Sequence, residues 1–95
     1  MIRSYRNRKT ERFDQGGWVS QFESFKKVAY RKLDMIRAAQ NLNDLKIPPN
    51  NRLEALKGSR AGQFSIRIND QFRICFEWKG NEAYNVEIVD YHGEH

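Results

Sequence analysis

The chain has 95 residues, of which 39% are hydrophobic and 13% aromatic, enough for one thin core; a single domain spanning residues 1–95 is expected and a second core is excluded. The formal net charge of +5 and a pI near 9.6 point to an acidic or polyanionic partner. Cys75, the lone cysteine, rules out an intrachain disulfide and a four-cysteine zinc site. The charge is uneven. Residues 1–52 hold twelve Lys/Arg against five Asp/Glu, whereas residues 53–95 hold five against seven, so the basic surface belongs to the first half. No stretch approaches the roughly 20 apolar residues of a membrane span. Met1–Arg12 is charged, without the apolar run of a signal peptide, and the expected compartment is the cytoplasm.

Ile2–Arg6 reads as a short edge strand and Thr10–Gln15 as a helical turn ended by Gly16 and Gly17. The clearest helix is expected over Gln21–Ala39. Ser20 and Glu23 have capping-box spacing, and Phe22, Phe25, Ala29, Leu33 and Ile36 form one apolar stripe at steps of 3, 4, 4 and 3. A short helix is expected at Leu42–Leu45, and Pro48-Pro49-Asn50-Asn51 stops further helix.

From Arg52 the period changes to two. Phe64, Ile66 and Ile68, then Phe72, Ile74, Phe76 and Trp78, then Tyr84, Val86 and Ile88 alternate with mostly polar neighbours, with turn residues at Asn69-Asp70 and Lys79-Gly80-Asn81. A strand, then helices, then three or four antiparallel strands make an α+β domain. A three-residue loop, Asn69-Asp70-Gln71, pairs Ile68 with Phe72, Ile66 with Ile74 and Phe64 with Phe76, leaving one face wholly apolar. The same register sets Arg67 opposite Arg73, where like charges repel. Either Glu77 and Glu87 relieve that repulsion, or a bound phosphate does.

Three groups of residues have chemistry to offer. Asp90-Tyr91-His92 follows the last strand and combines an orienting carboxylate, a phenol able to donate or stack, and an imidazole suited to proton transfer near neutral pH. Lys57 and Arg60 flank a Gly-containing turn with a point charge and a bidentate fork, both suited to phosphate. Arg73, mid-strand on the polar face, is placed to meet charge developing on a phosphoryl group. His92 and His95 have H-x-x-H spacing, but no metal site is expected from it. No Gly-rich phosphate loop, Walker motif or Ser/His/Asp constellation is present.

Several strings resemble HigB-type toxins of the RelE/ParE superfamily, also called plasmid maintenance system killer proteins. They are Arg31-Lys32-Leu33; Pro48-Pro49-x-Asn51-Arg52-Leu53-Glu54-Ala55-Leu56-Lys57-Gly58; Gly62-Gln63-x-Ser65 through Phe76; and Val86-Glu87-Ile88-Val89-Asp90-Tyr91-His92. The resemblance implies a compact RelE-like α+β fold, with N-terminal helices packed on one face of an antiparallel-rich twisted sheet. It implies a toxin of a type II toxin–antitoxin system. Its activity would be that of a ribosome-dependent endoribonuclease that cuts messenger RNA in the decoding site by metal-free acid–base transesterification, without a cofactor.

Carried over position by position, the resemblance implies catalytic roles for Lys57, Arg73, Asp90, Tyr91 and His92, with His92 as general base or general acid. Cations at Lys26, Lys27, Arg31, Lys32, Arg60 and Arg67 are expected to hold RNA through phosphates. The implied partners are a HigA-type helix-turn-helix antitoxin, the 70S ribosome and messenger RNA, with operator DNA reached only through the antitoxin and no membrane. Glu54 stands where some relatives have His, and Phe72 where many have Trp. The alternative within the superfamily is a ParE-like, non-enzymatic inhibitor of DNA gyrase, which lacks the C-terminal cluster.

Overall fold

The computed structural model describes residues 1–91. Two α-helices, α1 (Arg8–Asp14) and α2 (Lys26–Ala38), precede a four-stranded antiparallel sheet. The strands are β1 (Glu54–Ala55), β2 (Phe64–Arg67), β3 (Phe72–Lys79) and β4 (Glu82–Asp90), in spatial order β1-β2-β3-β4. Ile2 and Tyr5 bridge in parallel to Ala83 and Val86, so the first residues run along the outer edge of β4. That edge contact is the expected Ile2–Arg6 segment, reduced to two bridges. Among the described residues, no helix is long and apolar enough to cross a membrane.

The first helix starts earlier than expected because Asn7 caps it: Asn7 Oδ1 accepts from the Thr10 N–H at 2.8 Å. Thr10 is then fully buried inside the helix, and its Oγ1 accepts from the Ile88 N–H at 3.1 Å, joining α1 to β4. The long helix expected over Gln21–Ala39 is two pieces, a 3-10 turn at Ser20–Phe25 followed by α2. Three residues per turn place Phe22 and Phe25 above one another, and both rings meet Phe72, at centroid distances of 6.3 and 4.7 Å. The capping box forms by half. Glu23 Oε2 accepts from the Val19 N–H at 3.4 Å. The cap position is Val19, one residue before Ser20, and it has no side-chain acceptor.

The sheet register is the one the alternation demands: Phe64↔Phe76, Ile66↔Ile74 and Arg67↔Arg73, with Ile68 N–H donating to the Phe72 carbonyl across the Asn69-Asp70-Gln71 loop. Ile66, Ile74, Phe76, Val86 and Ile88 face the helices and pack with Phe13, Phe22, Ala29, Leu33 and Ile36 in one core. Each large apolar side chain so buried contributes on the order of 1.5–3 kcal/mol.

One strand departs from the simple alternation. The β3–β4 register shifts between Cys75 and Glu77, so two residues of β4, Asn85 and Val86, stand against Phe76 alone. Asn85 adopts φ +54, and its Nδ2 donates to Glu77 Oε2 at 2.9 Å. Beyond this bulge the faces exchange. Ala83 enters the helix-side core, and Tyr84, which simple alternation would set on the face of Val86 and Ile88, lies on the opposite face beside Glu77.

The opposite face is also covered, by a smaller cluster of Leu56, Cys75 and Val89 with Tyr91 packed against it. Leu56 N–H donates to the Gln63 carbonyl at 2.9 Å, so the segment after β1 folds over the sheet as a flap. A 3-10 turn at Gly58–Arg60 completes it.

Candidate active site

The flap and the end of β4 frame two adjoining clefts on this second face. One, of about 320 Å³, is lined by Arg52, Glu54, Arg67, Asn69, Asp70, Arg73 and Tyr91. The other, of about 500 Å³, runs along residues 54–59 and includes Lys57. Glu54 and Tyr91 wall both.

Arg73 forms the floor. It is 8% exposed, and burial pushes its pKa down. Its Nε donates to Ser65 Oγ at 2.7 Å, and its Nη2 donates to the Arg52 carbonyl at 2.6 Å and to the Ser65 carbonyl at 3.4 Å. These acceptors are neutral; the nearest carboxylate oxygen, Glu54 Oε1, is 3.8 Å away. Nη1 has no acceptor among the described residues, none of whose buried polar side-chain atoms lacks a partner, and Arg73 lines the smaller cleft. The guanidinium carbon lies 5.3 Å from the Tyr91 ring centroid, as a cation over an aromatic face. The floor is therefore a cation held from behind by dipoles and open in front, suited to an oxyanion.

Tyr91 OH donates to Glu54 Oε1 at 3.2 Å. Burial first, and the Glu54 charge second, push the phenol pKa up, so at neutral pH the phenol is a proton-bearing donor. Glu54 pairs with Ser65 across the β1–β2 ladder, in the same cross-strand row as Cys75, which fixes it on the Arg73 face. Sequence reasoning noted Glu54 only as a departure from relatives, yet its carboxylate stands at the centre. Arg52, at φ +48 and fully outside any regular strand, was likewise missed as a lining residue.

The expected residues distribute as follows. Arg73 and Tyr91 share one cleft, Lys57 lines the adjoining one, and Arg67 stands at the rim. Asp90 pairs with Phe72 and so belongs to the helix-side face of β4, where its Oδ2 accepts from Gln71 Nε2 at 2.9 Å. It does not line either cleft. His92 lies outside the described residues.

Among the cations expected to hold RNA, Lys26, Lys27 and Arg31 are exposed on α2, with Lys26 3.3 Å from Glu23. Lys32 is a correction. It is 2% exposed, and its Nζ donates to Asn51 Oδ1, so it cannot reach a phosphate at the surface. It occupies the apolar stripe, three residues after Ala29 and four before Ile36. Arg60 turns inward, its Nη1 3.1 Å from Gln63 Oε1 and 3.3 Å from Glu87 Oε1. The Arg67–Arg73 repulsion is met by Asp70, which pairs with Arg67, and by Glu54 near Arg73. Glu77 and Glu87, the internal counter-charges expected from sequence, are engaged elsewhere, with Asn85 and with Arg6 and Arg60.

Residues 3–92 match the family described as the RelE-like toxin of the type II toxin–antitoxin system HigB. The chain belongs to the HigB-like toxin family. Toxin HigB-1 of Vibrio cholerae is 39% identical over 82 residues, covering 75% of this chain and 86% of that protein. Endoribonuclease HigB of Proteus vulgaris is 39% identical over 41 residues, 43% of this chain and 45% of that one. Among solved structures, the YoeB-YefM complex from Staphylococcus aureus aligns over 97% of this chain and 98% of that chain, with a TM-score of 0.60 at 18% identity. The last likeness confirms the RelE-like fold. In this HigB-like chain the matched region includes the flap, the Arg73 floor and the end of β4.

Proposed function

We propose that this HigB-like toxin is an endoribonuclease that cuts messenger RNA in the ribosomal decoding site by side-chain acid–base chemistry. The ribose 2′-OH attacks the adjacent phosphorus, the bond to the 5′ oxygen breaks, and the products are a 2′,3′-cyclic phosphate and a 5′-OH. The observation that carries the reading is buried Arg73, whose Nη1 has no acceptor among the described residues, lining a cleft walled by Tyr91 and Glu54. A phosphoryl oxygen set there would gain a charge-assisted donor whose other donors are already satisfied, so little reorganisation accompanies the reaction.

Lys57 is exposed in the adjoining cleft and would take a second phosphate oxygen. Tyr91 would orient the nucleotide, and His92 would act as general base to the 2′-OH or general acid to the leaving oxygen. Asp90 would hold the start of the tail through Gln71, whose carbonyl also accepts from the Tyr91 N–H at 2.7 Å. Lys26, Lys27 and Arg31 would hold ribosomal RNA by phosphate contacts. The partner in the cell would be a HigA-type antitoxin, a reading supported by the family description and by the toxin–antitoxin complex that shares the fold.

The test incubates the protein with translating ribosomes and maps messenger 5′ ends. New 5′-OH ends that depend on His92 and Arg73 are expected. Intact message together with blocked DNA supercoiling would overturn the reading in favour of a gyrase inhibitor.

A further inference from the structure

Lys32 is an ammonium almost fully removed from water, and such a group normally meets a carboxylate. Here its hydrogen bond is to the amide oxygen of Asn51, itself fully buried, and no carboxylate lies within ion-pair reach among the described residues. The nearby charges, Arg31 and Arg67, are both positive and add to burial in lowering its pKa. An apolar residue would fill this place in the stripe at lower cost, so the ammonium calls for a role beyond packing.

Asn51 is held on its other side as well, with Nδ2 donating to the Leu45 carbonyl at 3.2 Å and lying 3.6 Å from Met35 Sδ. The chain then turns sharply. Arg52 takes a left-handed conformation, φ 48 and ψ 53, and its carbonyl accepts the 2.6 Å bond from Arg73 Nη2. Two residues later β1 begins at Glu54. The main chain locked at Asn51 therefore delivers both the Arg52 carbonyl that accepts from Arg73 Nη2 and the Glu54 carboxylate 3.8 Å from it.

We infer that Lys32 is a positioning residue of the phosphate site: by fixing Asn51 it fixes the turn at Arg52 whose carbonyl aims the Arg73 guanidinium into the cleft. The inference rests on the reading of Arg73 as the phosphate-binding floor. Lys32 touches no substrate; it acts through Asn51 and the Arg52 carbonyl.

The experiment measures cleavage of ribosome-bound message by wild type, Lys32→Met, Arg73→Lys and the double variant. Lys32→Met is expected to lower kcat at least about tenfold with KM changed by less than about twofold, and to lower it by less than about twofold more when Arg73→Lys is already present. Unchanged kcat, or equal losses in the two backgrounds as general destabilisation would give, overturns the inference. If Lys32→Met does not fold, the pair Lys32→Met with Asn51→Leu carries the test, because it removes both partners of the buried bond together and strands neither. The same kcat loss is expected in a folded protein, and full activity overturns the inference. A wild type that leaves the message uncut sinks the functional reading and this inference with it, whereas a cutting wild type beside an unimpaired variant sinks the inference alone.

Discussion

Tyr91 and Glu54 are joined by a hydrogen bond, phenol to Oε1 at 3.2 Å, and the Arg73 guanidinium carbon lies over the Tyr91 ring, 5.3 Å from its centroid. The bond and the ring contact are separable by mutation. Tyr91→Phe keeps the ring over Arg73 and removes the donor, so kcat is expected to fall about tenfold with KM nearly constant, and Tyr91→Ala to raise KM as well. A Tyr91→Phe variant that cuts message as fast as wild type would show that the hydroxyl contributes nothing of its own.

Arg73 is both floor and structural member. Arg73→Lys retains the charge, but a compact ammonium cannot serve Ser65 Oγ and the Arg52 carbonyl in the fork geometry that now fixes it. The expected outcome is a loss of ~10²–10³ in cleavage rate. Arg73→Ala additionally strands those buried acceptors, and chemical denaturation should show it less stable by about 1–3 kcal/mol. A fully active Arg73→Lys would remove Arg73 from the chemistry.

Tyr5 gives the fold an alkaline limit. Its hydroxyl donates to Asp14, a carboxylate also paired with Arg37, and burial with the Asp14 contact raises the phenol from 10.0 to about 12. The folded state therefore holds this proton more tightly than the unfolded chain. The stabilisation is complete below pH 10 and is lost as pH rises towards 12. It amounts to on the order of 1–2 kcal/mol after allowance for partial exposure. Between pH 9 and 12, wild type should lose that much more stability than Tyr5→Phe in urea melts, and parallel curves would contradict it.

The bulge at Asn85 depends on a left-handed backbone at φ +54 that Asn tolerates and a β-branched residue does not. Asn85→Val should cost ~1–3 kcal/mol, whereas Asn85→Gly, which eases the backbone but loses the bond to Glu77, should stay within about 1 kcal/mol of wild type. Comparable melting temperatures for the two variants would mean the strand re-registers without penalty.

That bulge also marks where reading the chain stops short. Ile66, Ile74 and Phe76 announce their shared face because a one-residue slip would expose all three, and the register follows from them. Tyr84 alternates just as regularly with Val86 and Ile88, and only an asparagine able to take positive φ hints that the faces exchange. Lys32 was legible in principle. Its spacing from Ala29 and Ile36 puts it on the buried stripe, but a lysine beside Arg31 reads as one more surface cation until its amide partner, nineteen residues away, is in view. Arg73 and Tyr91 could be named from sequence because one lies on a polar face and the other just past a strand end. Glu54 could not, since a two-residue strand has no periodicity to place it and its meeting with Tyr91 spans 37 positions.

On the proposed reading, the exposed cations on α2 would bear on the ribosome rather than on the chemistry. Lys27 and Arg31 face solvent, whereas Lys26 already pairs with Glu23 at 3.3 Å, although such an exposed pair is weak. Each phosphate contact releases counterions, so every cation that touches RNA adds about 0.7–0.9 to the slope of log affinity against log salt. Replacing Lys27 and Arg31 together by alanine should lower the slope of ribosome binding by roughly 1.5 and leave kcat on bound message unchanged. Lys32→Met should leave that slope as it is, because a buried ammonium neutralises no phosphate at the surface. Binding measured across a salt series separates the two classes of cation. A slope that falls with Lys32→Met and not with the α2 pair would place the RNA elsewhere on the molecule.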